Sequence, residues 1–411
     1  MTPPIPPLNR RAFRGGLDHI PILKMAGPGF SQSGLLVMAN AAATGSRHPP
    51  FLASQPLFSY YFKEITGSKR RANTPPNSFM PKLSEKDRYS RVVKRHKSAV
   101  DVRLRRMFGN REPRSVYEPI KYLLGAGGKR LRAVLVLLAC EAVGGKASAA
   151  MDAACAIELL HNFTLVHDDI MDKSDLRRGV PTVHKKWNVD TAILSGDQVV
   201  ACAYDLLLRT QSRQLAEIVR VFTDAFIEVC EGQGYDKEFE NRKDVSVDDY
   251  MMMIGKKTAR MISASAEIGA IIGGASARQR KAFSSFGQNL GIAFQIQDDI
   301  LDIEGSEGKL GKAIGNDVVE GKRTFLLLKA RERVRGSDLV VIESVMRREV
   351  RGDKSIRKVR DIYRKYGVLA EAQQQTEIAT RRADGVFKEI SRTEASGALL
   401  WLSNTLLERQ S

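Results

Sequence analysis

The stretch from Glu158 to His184 reads E-L-L-H-N-F-T-L-V-H-D-D-I-M-D-K-S-D-L-R-R-G-V-P-T-V-H. An apolar run carrying Leu159, Leu160, Phe163, Leu165 and Val166 leads into Asp168, Asp169 and Asp172, with Arg177 and Arg178 just beyond. On a helix, residues four apart are surface neighbours, so Asp168 and Asp172 stand one above the other on one face. Two carboxylates so placed repel each other unless a cation sits between them. An oxygen-only ligand set suits a hard ion such as magnesium, which keeps several waters and is shared with substrate phosphates. A lone motif of this kind reads as readily as a solvated acidic helix end. A second copy changes the balance: Phe294 to Asp302 reads F-Q-I-Q-D-D-I-L-D, and Asp298, Asp299 and Asp302 close another apolar run.

Cations recur at positions with a matching logic. Gly127-Gly128-Lys129-Arg130-Leu131-Arg132 puts glycines and then alternating cations at a helix start, where backbone N–H groups, helix dipole and side-chain charge can all point at a diphosphate. Lys257-Thr258 sits in M-I-G-K-K-T-A, and Lys312 in L-G-K-A-I-G-N-D and Lys322 in E-G-K-R-T follow the second acidic motif. Taken singly, these are also what solvated helix faces look like, and His161 is what a core histidine looks like.

The paired acidic motifs, with Arg-Arg-Gly after the first, resemble the trans-isoprenyl diphosphate synthases, the head-to-tail polyprenyl synthetases. The resemblance runs from about Tyr117 to the C-terminus. It implies an all-α fold, one large helical bundle around a central substrate cavity, and it implies a homodimer. It implies that Asp168, Asp169, Asp172, Asp298, Asp299 and Asp302 hold Mg2+, three ions once substrate is bound. Lys129, Arg132, His161 and Arg178 would bind isopentenyl diphosphate. Arg177, Lys257, Thr258, Gln295, Lys312 and Lys322 would bind an allylic diphosphate, with Lys312 and Lys322 on a basic lid. Ala133 stands where the family usually has Pro.

The chemistry expected of this inventory is Mg-dependent 1'-4 condensation, with Asp168, Asp172, Asp298 and Lys257 carrying the catalytic step. The allylic C–O bond ionises, the double bond of isopentenyl diphosphate attacks the cation, and a proton leaves to the departing diphosphate; apolar walls keep water from the cation. Phe163 lies five residues before Asp168, about 7.5 Å lower on a helix at ~1.5 Å per residue. Its ring is the expected floor for the growing tail, Thr164 being too small to add a second barrier. A geranylgeranyl product is expected, with farnesyl as runner-up and a longer polyprenyl chain as a further alternative. A class I terpene cyclase would not need the Gly-Gly-Lys-Arg site or the twin acidic motif. A non-catalytic subunit would be expected to lack motif carboxylates.

These residues need long helices to hold them, and the chain supplies the pattern. From about Ser84 apolar residues recur at three and four, as in Val134, Leu137, Leu138 and Ala142. Breaks fall at Gly125 to Gly128, Gly144-Gly145, Gly179 to Pro181, Gly232 to Gly234, Gly273-Gly274 and Gly305 to Gly315, which predicts roughly ten helices in one bundle. Residues 84–411 are therefore read as the catalytic domain. Residues 1–83, rich in Pro, Gly, Ser and Ala, are read as a disordered or loosely attached extension, either a transit peptide or sequence upstream of a true start at Met80.

The 411 residues carry a formal charge of +18, of which the first eighty hold nine cations against Asp18 and Glu64. The remaining excess is scattered through helical patterns, so no nucleic-acid partner is expected. Cys140, Cys155, Cys202 and Cys230 show no metal spacing and are expected to be buried, reduced thiols. No apolar run is expected to be long enough to span a membrane. A cytoplasmic location is expected, or an organellar one if the extension is a transit peptide.

Overall fold

The computed structural model describes residues 84–305 and 315–407; Lys312 and the expected extension at 1–83 lie outside them. The chain divides into Met1–Ser78 and Phe79–Ser411, and the described residues belong to the second unit. Helices α1 (Glu85–Met107), α2 (Arg114–Gly125), α3 (Leu131–Ala142) and α4 (Ala147–Met171) are followed by a short hairpin, β1 (Leu176–Arg177) and β2 (Val180–Pro181). Then come α5 (Val183–Lys186), α6 (Val189–Leu208), α7 (Leu215–Phe239), α8 (Val247–Ile254), a π-helical turn at Gly255–Ala259, α9 (Arg260–Ile272) and α10 (Ala277–Glu304). Shorter helices complete the chain: α11 (Asn316–Glu320), α12 (Phe325–Arg333), α13 (Gly336–Met346), α14 (Asp353–Lys365), α15 (Val368–Ala383) and α16 (Glu394–Leu407).

Local chemistry sets these boundaries. Ser246 and Asp249 form a reciprocal capping box at the start of α8, as Ser276 and Gln279 do for α10. Asn188 accepts a hydrogen bond from the Thr191 N–H and opens α6. The sixteen α-helices among the described residues exceed the roughly ten expected. The surplus comes from the C-terminal third, where Gly336, Gly352 and Gly367 adopt positive φ and let the chain turn between short helices.

Helix α3 is buried on almost every side and α4 is buried for most of its length, so both are interior elements rather than one-sided surface helices. Helix α4 packs against α6 and α3, α9 packs against α3 and α10, and α15 packs along α10. Small residues set these distances. A Cβ on Gly269 would lie 2.2 Å from the Val136 carbonyl oxygen, and one on Gly291 would lie 2.4 Å from the Ala259 Cα.

Several sequence expectations change here. Gly232 and Gly234 do not break the chain: both lie inside α7, and a Cβ on Gly232 would come within 2.3 Å of the Lys257 backbone nitrogen. Cys140, Cys155 and Cys202 are buried as expected, but Cys230 is exposed on α7. By length and composition alone, α4 and α6 are long and apolar enough to cross a membrane. In α4 that apolarity serves the core, since two thirds of the stretch is buried within the protein.

Replacement of Gly291 by Val should destabilise the fold by about 1–3 kcal/mol or more, because the new side chain must force α10 away from the π-helical turn. Thermal unfolding of the variant measures this; an unchanged melting temperature would show that the contact is looser than the geometry implies.

Candidate active site

Helix α4 carries His161 and Asp168, seven residues and two turns apart, and His161 lines the first of two clefts. The first cleft has a volume of about 440 Å3, and Lys129, Arg132, His161 and Arg178 all line it. Arg130, which the sequence reading passed over, holds its rim. Its Nε donates to Asp101 Oδ1 at 2.8 Å, one terminal nitrogen to Glu158 Oε1 at 3.2 Å and the other to the Leu124 carbonyl at 2.7 Å. With φ at 53°, Arg130 turns the chain into α3 and leaves Lys129 exposed on the rim.

Arg132 donates to His161 Nε2 at 3.2 Å, which makes that nitrogen the acceptor and His161 a neutral imidazole. Burial and the nearby Arg132, Arg178, Arg177 and Arg130 push the His161 pKa well below its ordinary value. Burial also brings Arg132 down to about 10, opposed by Glu158 and aided by Arg178. Arg132 Nε and Glu158 Oε2 are buried without a hydrogen-bond partner. Cations crowded in this way, one of them with an idle donor, make a site that gains from an anion.

The hairpin separates the two adjacent arginines. Arg178 and Gly179 both take positive φ, at 55° and 77°, as a tight two-residue turn demands. Arg178 therefore reaches back and donates to the Gly127 carbonyl oxygen, whereas Arg177 donates to Asp169 Oδ1 through Nε at 2.9 Å.

The second cleft, about 150 Å3, is lined by Asp236, Lys257, Thr258, Gln295, Asp299, Asp317 and Lys322 among others. The π-helical turn is what points Lys257 and Thr258 into it, one extra residue per turn rotating the pair relative to α9. Lys257 donates to Asp236 at 2.5 Å, and Thr258 donates to Gln295, whose amide nitrogen donates to Asp299 at 3.1 Å. Lys322 pairs with Glu320 at 3.0 Å and with Asp317 at 3.4 Å.

Of the six motif carboxylates expected to serve a metal, Asp169 and Asp299 are the two buried ones. Asp169 is buried and accepts from Arg177, which also ties up the cation expected to face the allylic diphosphate. Asp299 is buried with both oxygens engaged: Tyr250 donates to Oδ2 at 2.6 Å and Gln295 to Oδ1. In each motif the second aspartate is the buried one. Asp168, Asp298 and Asp302 are half-buried and Asp172 is exposed, so these four remain nearer to a ligand.

Burial is the first cause of strained ionisation here. It raises Asp168 to about 6, partly offset by Lys257 and reinforced by Asp172. Burial and the charge of Asp317 raise Asp302 to about 7 and Asp299 to about 8. Among the described residues no three His, Cys, Asp or Glu side chains converge into a ready-made cage. The all-oxygen donor set of the motif carboxylates fits Mg2+, a hard ion that is shared with substrate phosphates. Asp168, Asp172, Asp298 and Asp302 are the residues that could hold it.

Sequence reading missed Asp236, Asp317 and Tyr250, which come from segments without an acidic repeat. It also missed Gln233, one turn before Asp236, whose buried amide has no partner on either atom. The signal available was Gly232: a glycine inside an otherwise continuous helical pattern marks a close backbone approach. Beneath Asp168, Phe163 meets Phe226 of α7 edge to face at 5.3 Å between ring centres and lies tilted against the His167 ring at 4.5 Å. Thr164 is half-buried and donates to the His161 carbonyl at 2.8 Å.

Residues 113–365 match the polyprenyl synthetase family model. The chain is 37% identical over 321 residues to the short chain isoprenyl diphosphate synthase of Methanothermobacter thermautotrophicus, covering 78% of this chain and 98% of that one. It is 42% identical over 243 residues to the geranylgeranyl diphosphate synthase of Methanosarcina mazei, covering 59% of this chain and 75% of that one. Geranylfarnesyl diphosphate synthases are also among the similar chains. The crystal structure of geranylgeranyl pyrophosphate synthetase from Pyrococcus horikoshii superposes with a TM-score of 0.73 at 35% identity, covering 79% of this chain and 99% of that one. With its helical bundle, its paired acidic motifs and a family match across most of the described residues, this chain belongs to the polyprenyl synthetase family.

Proposed function

We propose that this prenyltransferase joins isopentenyl diphosphate head to tail to an allylic diphosphate and releases geranylgeranyl diphosphate. The observation that carries the reading is the gathering of Lys129, Arg132, His161 and Arg178 around one cleft, while Asp168 of the same helix as His161 feels the charges of Lys257 and Asp236, which line a second. Lys129, Arg132 and Arg178 hold the diphosphate of the homoallylic substrate, and neutral His161 adds a hydrogen bond without adding charge. Lys257, Thr258, Gln295 and Lys322 orient the allylic diphosphate as it leaves. Mg2+ held by Asp168, Asp172, Asp298 and Asp302 would supply Lewis-acid stabilisation of that leaving group. Apolar side chains between α4 and α7, Phe163 and Phe226 among them, keep water from the reacting carbon. Val189, Ile193 and Leu194 of α6 and Ile227 of α7 are exposed apolar residues that suit a homodimer.

Replacement of Asp168 or Asp298 by Ala should cut turnover of labelled isopentenyl diphosphate on the order of a hundredfold or more, with the circular dichroism spectrum unchanged. Sustained activity in chelator without added metal would overturn the metal reading.

Product length follows from the ring pair. Phe163 and Phe226 project from α4 and α7, whose acidic ends meet where Lys237 pairs with Asp172, so the two rings close the space beneath the carboxylates together. Phe163→Ala should lengthen the extracted product, and Phe163→Ala with Phe226→Ala should lengthen it further. A double variant whose products match the wild type would place the floor elsewhere.

Charge crowding also predicts a pH effect on the metal-free protein. Asp168, Asp302 and Asp299 are raised to about 6, 7 and 8, whereas an unfolded carboxylate titrates near 4. Between these values the folded chain binds more protons than the unfolded one. The stabilising contribution is therefore complete below about pH 4 and is lost as pH rises through 6 to 8. In chelator, the melting temperature should fall from pH 5 to pH 8, and Asp302→Asn should flatten the slope. A calorimetric profile with the opposite slope would contradict the crowding.

A further inference from the structure

The acidic end of α4 and the C-terminal turn of α7 share a cation. Lys237 Nζ donates to Asp172 Oδ1 at 2.5 Å and to Glu240 Oε1 at 2.8 Å. Glu240 lies three residues further along, on the same face as Lys237, and its other oxygen accepts from Arg348 at 3.0 Å. Arg348 thus holds Glu240 from behind, and the carboxylate presents a fixed second seat to the lysine. Burial works against the charge of Lys237, but the hydrogen bonds and charges of Asp172 and Glu240 outweigh it and keep the amine cationic.

The other carboxylates nearby do not have this arrangement. Asp169 is held by Arg177, whose other contacts tie it to the hairpin, and Asp236 is held by Lys257, which itself faces the cleft. Only at Asp172, among the motif carboxylates with a described cation partner, does that cation also have an acidic neighbour on its own helix to which it can transfer. The side chain needs no helix movement to do so, because both acceptors are already within hydrogen-bond distance.

We propose that Lys237 is a tethered competitor for Asp172: it neutralises the carboxylate in the metal-free protein and yields it to the divalent cation by settling on Glu240. This rests on Asp172 being a metal ligand. Lys237 then sets how much metal the protein requires, and Glu240 sets how easily the lysine lets go. The two residues therefore act on metal affinity with opposite signs, which a purely structural salt bridge does not produce.

Binding of Mn2+ to the full chain, followed by the electron paramagnetic resonance signal of the free ion at pH 7.5, tests this without recourse to turnover. Lys237→Met removes the competitor and retains a good helix former, and should tighten binding about two- to fivefold, the scale of a partly exposed ion pair. Glu240→Gln removes the second seat and should weaken binding about two- to fivefold. Lys237→Arg keeps a cation and should bind like the wild type, which separates loss of charge from loss of packing. Asp172→Asn should weaken binding, and if it binds like the wild type, the metal reading of Asp172 fails. If Asp172→Asn weakens binding while Lys237→Met leaves it unchanged or weaker, the metal reading stands and the competition is overturned.

Discussion

Like charge confined at the end of a helical bundle is the constraint on which the rest of this structure depends. Asp168, Asp236, Asp299, Asp302 and Asp317 lie in or beside one small cleft, and burial and mutual repulsion raise Asp299 and Asp302 far above ordinary carboxylates. No single helix could resolve this, since residues on one face of one helix would bring their own repulsion with them. The cations come from elsewhere: Arg177 from the hairpin, Lys237 from α7, Lys257 from the π-helical turn and Lys322 from the segment after α11. Neutralisation is therefore a tertiary property, and the bundle's connectivity is what brings the opposite charges together.

The same constraint, with its sign reversed, shapes the other cleft. Arg130 resolves its own charge against Asp101 and Glu158, and that internal ion triad is what frees Lys129 and Arg132 from structural duty. Arg132 is left with an unpartnered donor and a pKa drawn down to about 10 by burial. An unsatisfied buried cation is unfavourable in the empty protein and favourable toward an anion, so stability is held back where binding gains from it. A cleft crowded with cations and a second that mixes carboxylates with Lys257 and Lys322 suit a reaction that anchors two diphosphates differently, one as a handle and one as a leaving group.

Close packing converts these charges into geometry. Gly232 lets α7 approach the Lys257 backbone, and Gly291 lets α10 approach Ala259, so the π-helical turn is gripped from two sides. A side chain on either glycine would push Lys257 and Thr258 away from Asp236 and Gln295. The chemistry of the site is thus tied to residues that carry none.

What the sequence alone determined was the inventory and the periodicity. The paired acidic motifs, the Gly-Gly-Lys-Arg start of α3 and the three-and-four spacing of apolar residues identified an all-helical bundle and most of its polar lining, because a helix fixes which neighbours in sequence share a face. It could not separate Asp168 from Asp169 or Asp298 from Asp299, since adjacent residues on a helix point to different sides and only the packed neighbours decide which side is the interior. Tyr250 claims Asp299 from another helix, and Arg177 claims Asp169 from the hairpin that follows α4. Asp236, Asp317 and Phe226 were illegible for the same reason: each gains its role from a partner on another helix, at a distance that local pattern does not encode. Gly232 marks the boundary between the two kinds of information. Its presence was visible as a break in a pattern, but only the backbone of Lys257 lying against it shows that the missing side chain is what allows the site to close.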